Sequence, residues 1–219
     1  MREIKITYDV YTFEELPEHI QDELIEKERE IIADDWDCIY SDDVIDDWKE
    51  KLESQGFNNS EINYRGFWSQ GDGASFTTNS IDLIKLCDYL ELWPVGKEKT
   101  YRTLLKNLSY DVYLKRRDNY YYHERSTTFY CFVNYAQWFS TKAQKALDKF
   151  FQDIEPVIKD HIVDMGIAIY RDLEEDYEAQ TTEEFVWERL IDLDREYVLD
   201  KDGNYIKTLD YNIGESWND

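Results

Sequence analysis

The chain has 219 residues, of which 42% are hydrophobic and 16% aromatic, ample for a packed core and unlike an acidic disordered segment. Its 49 Asp and Glu against 25 Lys and Arg give a formal net charge of −24, a field that repels nucleic acid and anionic membrane at long range. Three widely spaced cysteines, Cys38, Cys87 and Cys131, sit among apolar or aromatic neighbours and fit buried thiols in a reducing cytosol rather than a disulfide framework or a zinc site.

The opening M-R-E-I-K-I-T-Y lacks the apolar centre of a signal peptide, and no later run reaches the roughly 18 apolar residues of a membrane span, so a cytoplasmic protein is expected. Residues 3 to 13 alternate through Ile4, Ile6, Tyr8 and Val10 and predict a strand. Thr12 with Glu15 three residues on forms a capping box for a helix whose apolar stripe is Leu16, Ile20, Leu24 and Ile31. A second helix is predicted from about Asp42 to Ser54, stopping at Gly56, with Val44, Ile45, Trp48 and Leu52 inward. Tyr64 to Phe76 reads as a strand, a glycine-hinged loop and a second strand.

Ser80 is placed to cap a helix over residues 80–92 carrying Ile81, Ile84, Leu86, Tyr89 and Leu90, with a short helix following from about Thr100 to Asn107. Tyr110 to Tyr135, dense in Tyr, Phe, Val and Thr, reads as two strands around an Arg117-Asp118-Asn119 turn. From Thr141 a helical period runs through Leu147, Phe150 and Ile154, breaks or kinks at Pro156, and resumes through Val157, Ile162, Ile169 and Leu173, predicting two parts. Thr182 opens another helix, and Tyr197 to Leu199 with Tyr205 to Leu209 flank Asp200-Lys201-Asp202-Gly203-Asn204, a hairpin signal. That turn has alternating carboxylates but not the calcium-loop spacing. The sum is a single α+β domain over residues 1–219, with a small, mainly antiparallel sheet packed with several helices.

Two stretches carry candidate binding chemistry. The glycine loop offers Phe67, Trp68, Ser69, Gln70, Gly71, Asp72, Gly73 and Ser75. It matches neither a P-loop nor a dinucleotide fingerprint, yet glycines let backbone N–H groups turn toward one centre, as they also do in a plain tight connection. The second stretch offers Arg116, Tyr120, Tyr122, His123, Arg125 and Ser126, within a basic island that runs from Lys97 through Lys99, Arg102, Lys106, Lys115 and Arg117. Interleaved arginines and tyrosines suit a nucleotide-like anion, or else an exposed strand paired with surrounding acids. As a strand, this stretch would place Tyr120, Tyr122 and Glu124 on one face and Tyr121, His123 and Arg125 on the other. A Ser-His-Asp set can be assembled from Ser69 or Ser75, His123 and Asp72, but nothing marks a nucleophile elbow. No metal-ligand grouping or cofactor motif accompanies either stretch, so a binding protein is expected ahead of an enzyme that uses His123 as acid or base on a phosphorylated small molecule. The acidic run from Glu174 to Glu178, with Glu183, Glu184 and Glu188, reads as a solvated helix face or as a surface of carboxylates arrayed like phosphates.

Four segments resemble a widespread group of small acidic phage and prophage proteins. Thr7 to Leu16 is similar to their T-V-Y-E-F-D-E-L opening; Gly66 to Phe76 matches G-F-x-S-Q-G-D-G-A-x-F; Tyr121 to Ser126 matches Y-Y-H-E-x-S; and Ile169 to Glu178 is similar to I-Y-R-x-L-E-x-x-Y-E. Lys115-Arg116 stands where relatives often have a His-Ser-Gly type turn. The resemblance implies a phage-encoded protein in the cytoplasm of an infected bacterial host, in a group whose members are sometimes labelled antitoxin-like or antirestriction-like, and it supplies no catalytic residue. Together with the two stretches it leads to an expected counter-defence protein that sequesters a small anionic, nucleotide-derived signal. The alternative is an acidic, DNA-mimic-type or antitoxin-like inhibitor of a host defence or DNA-processing protein.

Overall fold

A computed structural model describes residues 8–39, 41–67, 69, 72–117, 121–135, 139–200 and 202–209. In chain order come β1 (Val10–Tyr11), α1 (Glu18–Ile39), α2 (Asp42–Gln55), β2 (Phe57–Asn58) and β3 (Glu61–Arg65). Then follow β4 (Gly73–Thr77), β5 (Ser80–Ile81), α3 (Leu83–Tyr89), α4 (Glu98–Lys106), β6 (Ser109–Arg116) and β7 (Thr127–Asn134). The chain closes with α5 (Thr141–Gln180), α6 (Glu183–Asp192), β8 (Glu196–Leu199) and β9 (Tyr205–Leu209). This is an α+β fold with antiparallel pairing throughout the described strands, divided among four small sheets. The chain packs as two compact units, residues 1–40 with 176–219 and residues 41–175.

In the first unit β8 lies between β1 and β9. The core joins Phe13, Leu16, Ile20, Leu24, Ile25 and Ile32 to Val186, Leu190, Tyr197 and Leu199. The expected stripe on α1 is corrected at its end, because Ile31 is exposed and Ile32 is buried. The cause is Glu28, which occupies the buried stripe itself and is neutralised there by Arg189 at 2.9 Å and Arg195 at 3.5 Å. An acid read as a surface residue displaces the inferred stripe by one position. Thr12 and Glu15 do close on each other, Glu15 Oε2 accepting the Thr12 amide at 2.9 Å, but they bracket a 3₁₀ turn over Phe13–Glu15, and α1 begins only after Pro17. Of the strand predicted from residue 3, Val10–Tyr11 is seen and residues 3–7 lie outside the described ones. The β8–β9 hairpin forms as predicted: Asp200 Oδ2 accepts the Asn204 side-chain amide at 3.0 Å and Oδ1 the backbone amides of Asn204 and Asp202, each at 2.8 Å. These bonds, the Asn204 side-chain amide foremost, hold its carboxyl below the ordinary range.

In the second unit α2 ends where glycine allows, with Gly56 in the left-handed region at φ 108°. Phe57 and Phe76 meet edge to face at 5.1 Å, and Phe57 also stacks on His161. The helix predicted to start at Ser80 starts later: Ser80 and Ile81 are still paired with Asn58 and Phe57, and Asp82 is the cap, its Oδ1 accepting the Ile84 and Lys85 amides. Ile81 is consequently buried on a strand and Tyr89 is exposed.

The largest correction concerns Pro156, which lies inside one continuous helix of 40 residues. Loss of its N–H and the ring clash cost about 3 kcal/mol, but the flanking turns bury Ile154, Ile158 and Ile162 while Pro156 faces solvent. Val157, read as an inward position, is exposed and Ile158 takes that place. Farther along, a Cβ at Gly166 would lie 2.8 Å from Glu124 Cβ and 2.9 Å from the Ala74 carbonyl oxygen, so α5 passes with its backbone almost against β4 and the turn before β7.

Two outcomes follow from this packing. Gly166→Ala gains about 1 kcal/mol of helix propensity, but overpacking against backbone typically costs about 1–3 kcal/mol, so urea unfolding should show a net loss. His161 Nε2–H donates to Gln55 Oε1 at 2.7 Å, and burial pushes its pKa below 6.5. The unfolded chain then binds the extra proton between the two values, so the stability His161 contributes is present above about pH 6.5 and is lost as the pH falls below it. In His161→Gln that part of the acid-side slope in urea midpoints should flatten.

Candidate functional site

The strand, loop, strand reading of Tyr64 to Phe76 is realised by β3 and β4, which pair from Glu61 with Thr77 to Arg65 with Gly73. Gly66 turns at φ 55°, and a Cβ there would lie 2.6 Å from the Asp72 carboxylate. Asp72 also accepts the Ser69 amide and donates its own amide to the Ser69 carbonyl at 3.1 Å. Asp72 therefore staples the loop. Phe67 is buried against Tyr170 at 5.6 Å, Ser69 is exposed, and Trp68, Gln70 and Gly71 lie outside the described residues.

The two stretches do meet. A Cβ on Gly73 would stand 2.7 Å from His123 Cα, and Ser126 Oγ donates to Ser75 Oγ at 3.1 Å, both serines buried. This junction joins backbone to backbone and uses the two hydroxyls on each other. The strand-face assignment is corrected for Tyr121 to Arg125, because the pairing ends with Arg116 and Thr127 and residues 121–126 lie outside it, with a 3₁₀ turn over Glu124–Ser126. His123 caps that turn: its Nδ1 accepts the Arg125 amide at 3.1 Å, and its carbonyl accepts the Ser126 amide at 2.9 Å. Tyr120, with Asp118 and Asn119 of the predicted turn, falls outside the described residues.

Arg116 braces this connection. Its Nη1 donates to Asn63 Oδ1 at 3.3 Å, its Nη2 to the Tyr121 carbonyl at 3.2 Å, and its guanidinium lies 4.1 Å over the Tyr122 ring. Within the basic island Arg102 is also committed elsewhere, held by Asp88 and Glu98 while stacked over Trp93.

A cleft of about 330 Å³ opens beside this junction, along the Thr127–Phe129 end of β7 and the α5 turn at residues 159–163. Arg117, Arg125 and Lys159 line it, together with Glu124, Asp160 and Thr128. Arg117 Nε donates to Thr128 Oγ1 at 2.9 Å, which fixes the guanidinium at the rim. Lys159 is paired with Glu155 at 2.5 Å, and Arg125 stands 3.7 Å from Glu124. Of the expected site residues that are described, only Arg125 lines this cleft. Lys159, Asp160 and Thr128 carried no sequence signal, because their convergence is made by α5 passing the hairpin, not by spacing along the chain. The two described thiols are poor nucleophiles here, as burial pushes Cys87 up to about 12 and Cys131 up to about 11.

The serine pair yields a clean outcome. Ser126→Ala leaves the buried Ser75 hydroxyl without this donor and should cost about 1–2 kcal/mol, whereas Ser75→Ala with Ser126→Ala should cost less than the sum of the singles. A double-mutant cycle of urea stabilities measures the coupling.

No curated protein matches this chain, and neither does any solved structure. The model of a family described as a domain of unknown function, DUF8835, matches residues 40–183, a span that contains the whole second unit and its cleft, and the chain belongs to that family.

Proposed function

We propose that this protein is a non-enzymatic binding protein that captures a small anionic ligand in the cleft between β7 and α5, acting in the phage counter-defence setting that the sequence resemblance implies. The observation that carries the reading is the convergence of Arg117, Arg125 and Lys159 on one concavity in a chain of net charge −24. Guanidinium groups bind phosphate and carboxylate through paired N–H donors, and Arg117 is already oriented by Thr128, so less freedom is lost when a ligand arrives. The nearby groups that could serve chemistry are engaged structurally, His123 Nδ1 by an amide and Ser75 and Ser126 by each other, which supports capture over turnover.

Calorimetry with pyrophosphate, cyclic dinucleotides and ADP-ribose tests this. Binding should weaken with added salt, fall about tenfold in Arg117→Gln or Lys159→Gln, equivalent to about 1.4 kcal/mol, and tighten in Glu124→Gln, which removes a carboxylate from the same wall. Folded protein giving no heat with any of these anions would overturn the reading and leave an acidic inhibitor of a host protein as its replacement.

A further inference from the structure

The outer face of the β6–β7 hairpin carries a feature the cleft does not absorb. Strand register places Asp111 opposite Phe132, Tyr113 opposite Tyr130 and Lys115 opposite Thr128, while the alternate positions Val112, Leu114 and Phe129 are buried on the other face. Tyr113 and Tyr130 stack at 5.1 Å, Tyr130 and Phe132 are parallel within 11°, and Phe132 is 56% exposed. Lys115 Nζ lies 5.0 Å over the Tyr113 ring. Cross-strand ring pairs stabilise a hairpin, and one such pair would suffice for that. Three near-parallel rings extending into solvent present a surface on which another flat ring can continue the stack.

This ladder begins at the lip of the cleft. Thr128 lines the cleft, binds Arg117 and faces Lys115, and the next two residues on the same side of β7 are Tyr130 and Phe132, roughly 7 Å apart at each step along the strand. The face is graded, with Lys115 and Arg117 at the cleft end and Asp111 at the far end. An anion is drawn to one end and an uncharged ring rests beyond it. We infer that the captured ligand is a nucleotide whose phosphates occupy the cleft and whose base stacks on the Tyr113, Tyr130 and Phe132 ladder. The inference rests on the cleft reading above. It moves base recognition away from Tyr122, whose ring is covered by Arg116. Stacking is tolerant of base identity and stronger for larger rings, so purines should exceed pyrimidines.

The test compares inorganic pyrophosphate with ADP and UDP by calorimetry on the full chain. ADP should bind about tenfold more tightly than pyrophosphate and more tightly than UDP. Phe132→Ala, at an exposed position, should lower ADP affinity by about fivefold or more while leaving pyrophosphate unchanged, with Phe132→Tyr restoring it. Pyrophosphate binding with ADP no tighter, or an ADP affinity indifferent to Phe132→Ala, would overturn the ladder assignment and leave the cleft standing. Failure of pyrophosphate and ADP alike would overturn both. A short single-stranded RNA displacing ADP at lower concentration would overturn the mononucleotide assignment in favour of a polymer.

Discussion

Residues 41–175 depend on one close approach, that of α5 to the hairpins through Gly166. Where a helix carries side chains all round, it stands about 8–10 Å from its neighbours. Here the missing Cβ admits the Ala74 carbonyl and the Glu124 backbone to the helix surface. The same contact fixes the height of β4 and of the turn capped by His123, and so the position of Arg125 relative to Lys159. A second close approach, Gly73 against His123, locks β4 to that turn from the other side. The Gly73 and His123 of two motifs that are distant in sequence therefore meet as backbone, while the polar concavity opens one step away.

Charge is distributed by a similar logic. With about twice as many acids as bases, most arginines described here have a carboxylate, a carbonyl or a ring in attendance. Arg189 and Arg195 neutralise buried Glu28, Arg102 joins Asp88, Glu98 and Trp93, and Arg116 clamps the β3 side chain Asn63 to the connection at Tyr121. Burying a carboxylate is tolerable only with such partners, because the desolvation it suffers must be offset by charge and hydrogen bonds. The cleft cations differ in facing a concavity, where Glu124 and Asp160 of the same lining balance two of the three charges and Glu155 pairs with Lys159 from outside it.

Local chemistry made much of the fold legible in advance. Gly56 as a left-handed stop, Thr182 as a cap and the Asp200 to Asn204 turn each act within a few residues, and each is found where the pattern indicates. What could not be read is tertiary in origin. Glu28 sits on an apolar stripe because two arginines distant in sequence reach it. Ser80 yields its cap to Asp82 because β2 holds it extended, and Pro156 is absorbed because packing on both sides outweighs one hydrogen bond. The candidate residues suffered the same fate: Ser75, His123 and Ser126 do converge, but as a structural joint, and the concavity is completed by Lys159 from a helix with no local motif.

Pro156 has a mechanical consequence. The carbonyl of Gln152, four positions before it, receives no amide from the ring nitrogen, so the helix lacks one backbone hydrogen bond just ahead of the turn that presents Lys159 and Asp160. The opposing wall is tied by Arg117 to Thr128 and by Ser126 to Arg117 through the backbone. One wall of the cleft is thus cross-tied by hydrogen bonds, while the other is presented by a helix that lacks one backbone bond a turn earlier, so the two walls are held by different means: strand register on one side, side-chain packing on the other.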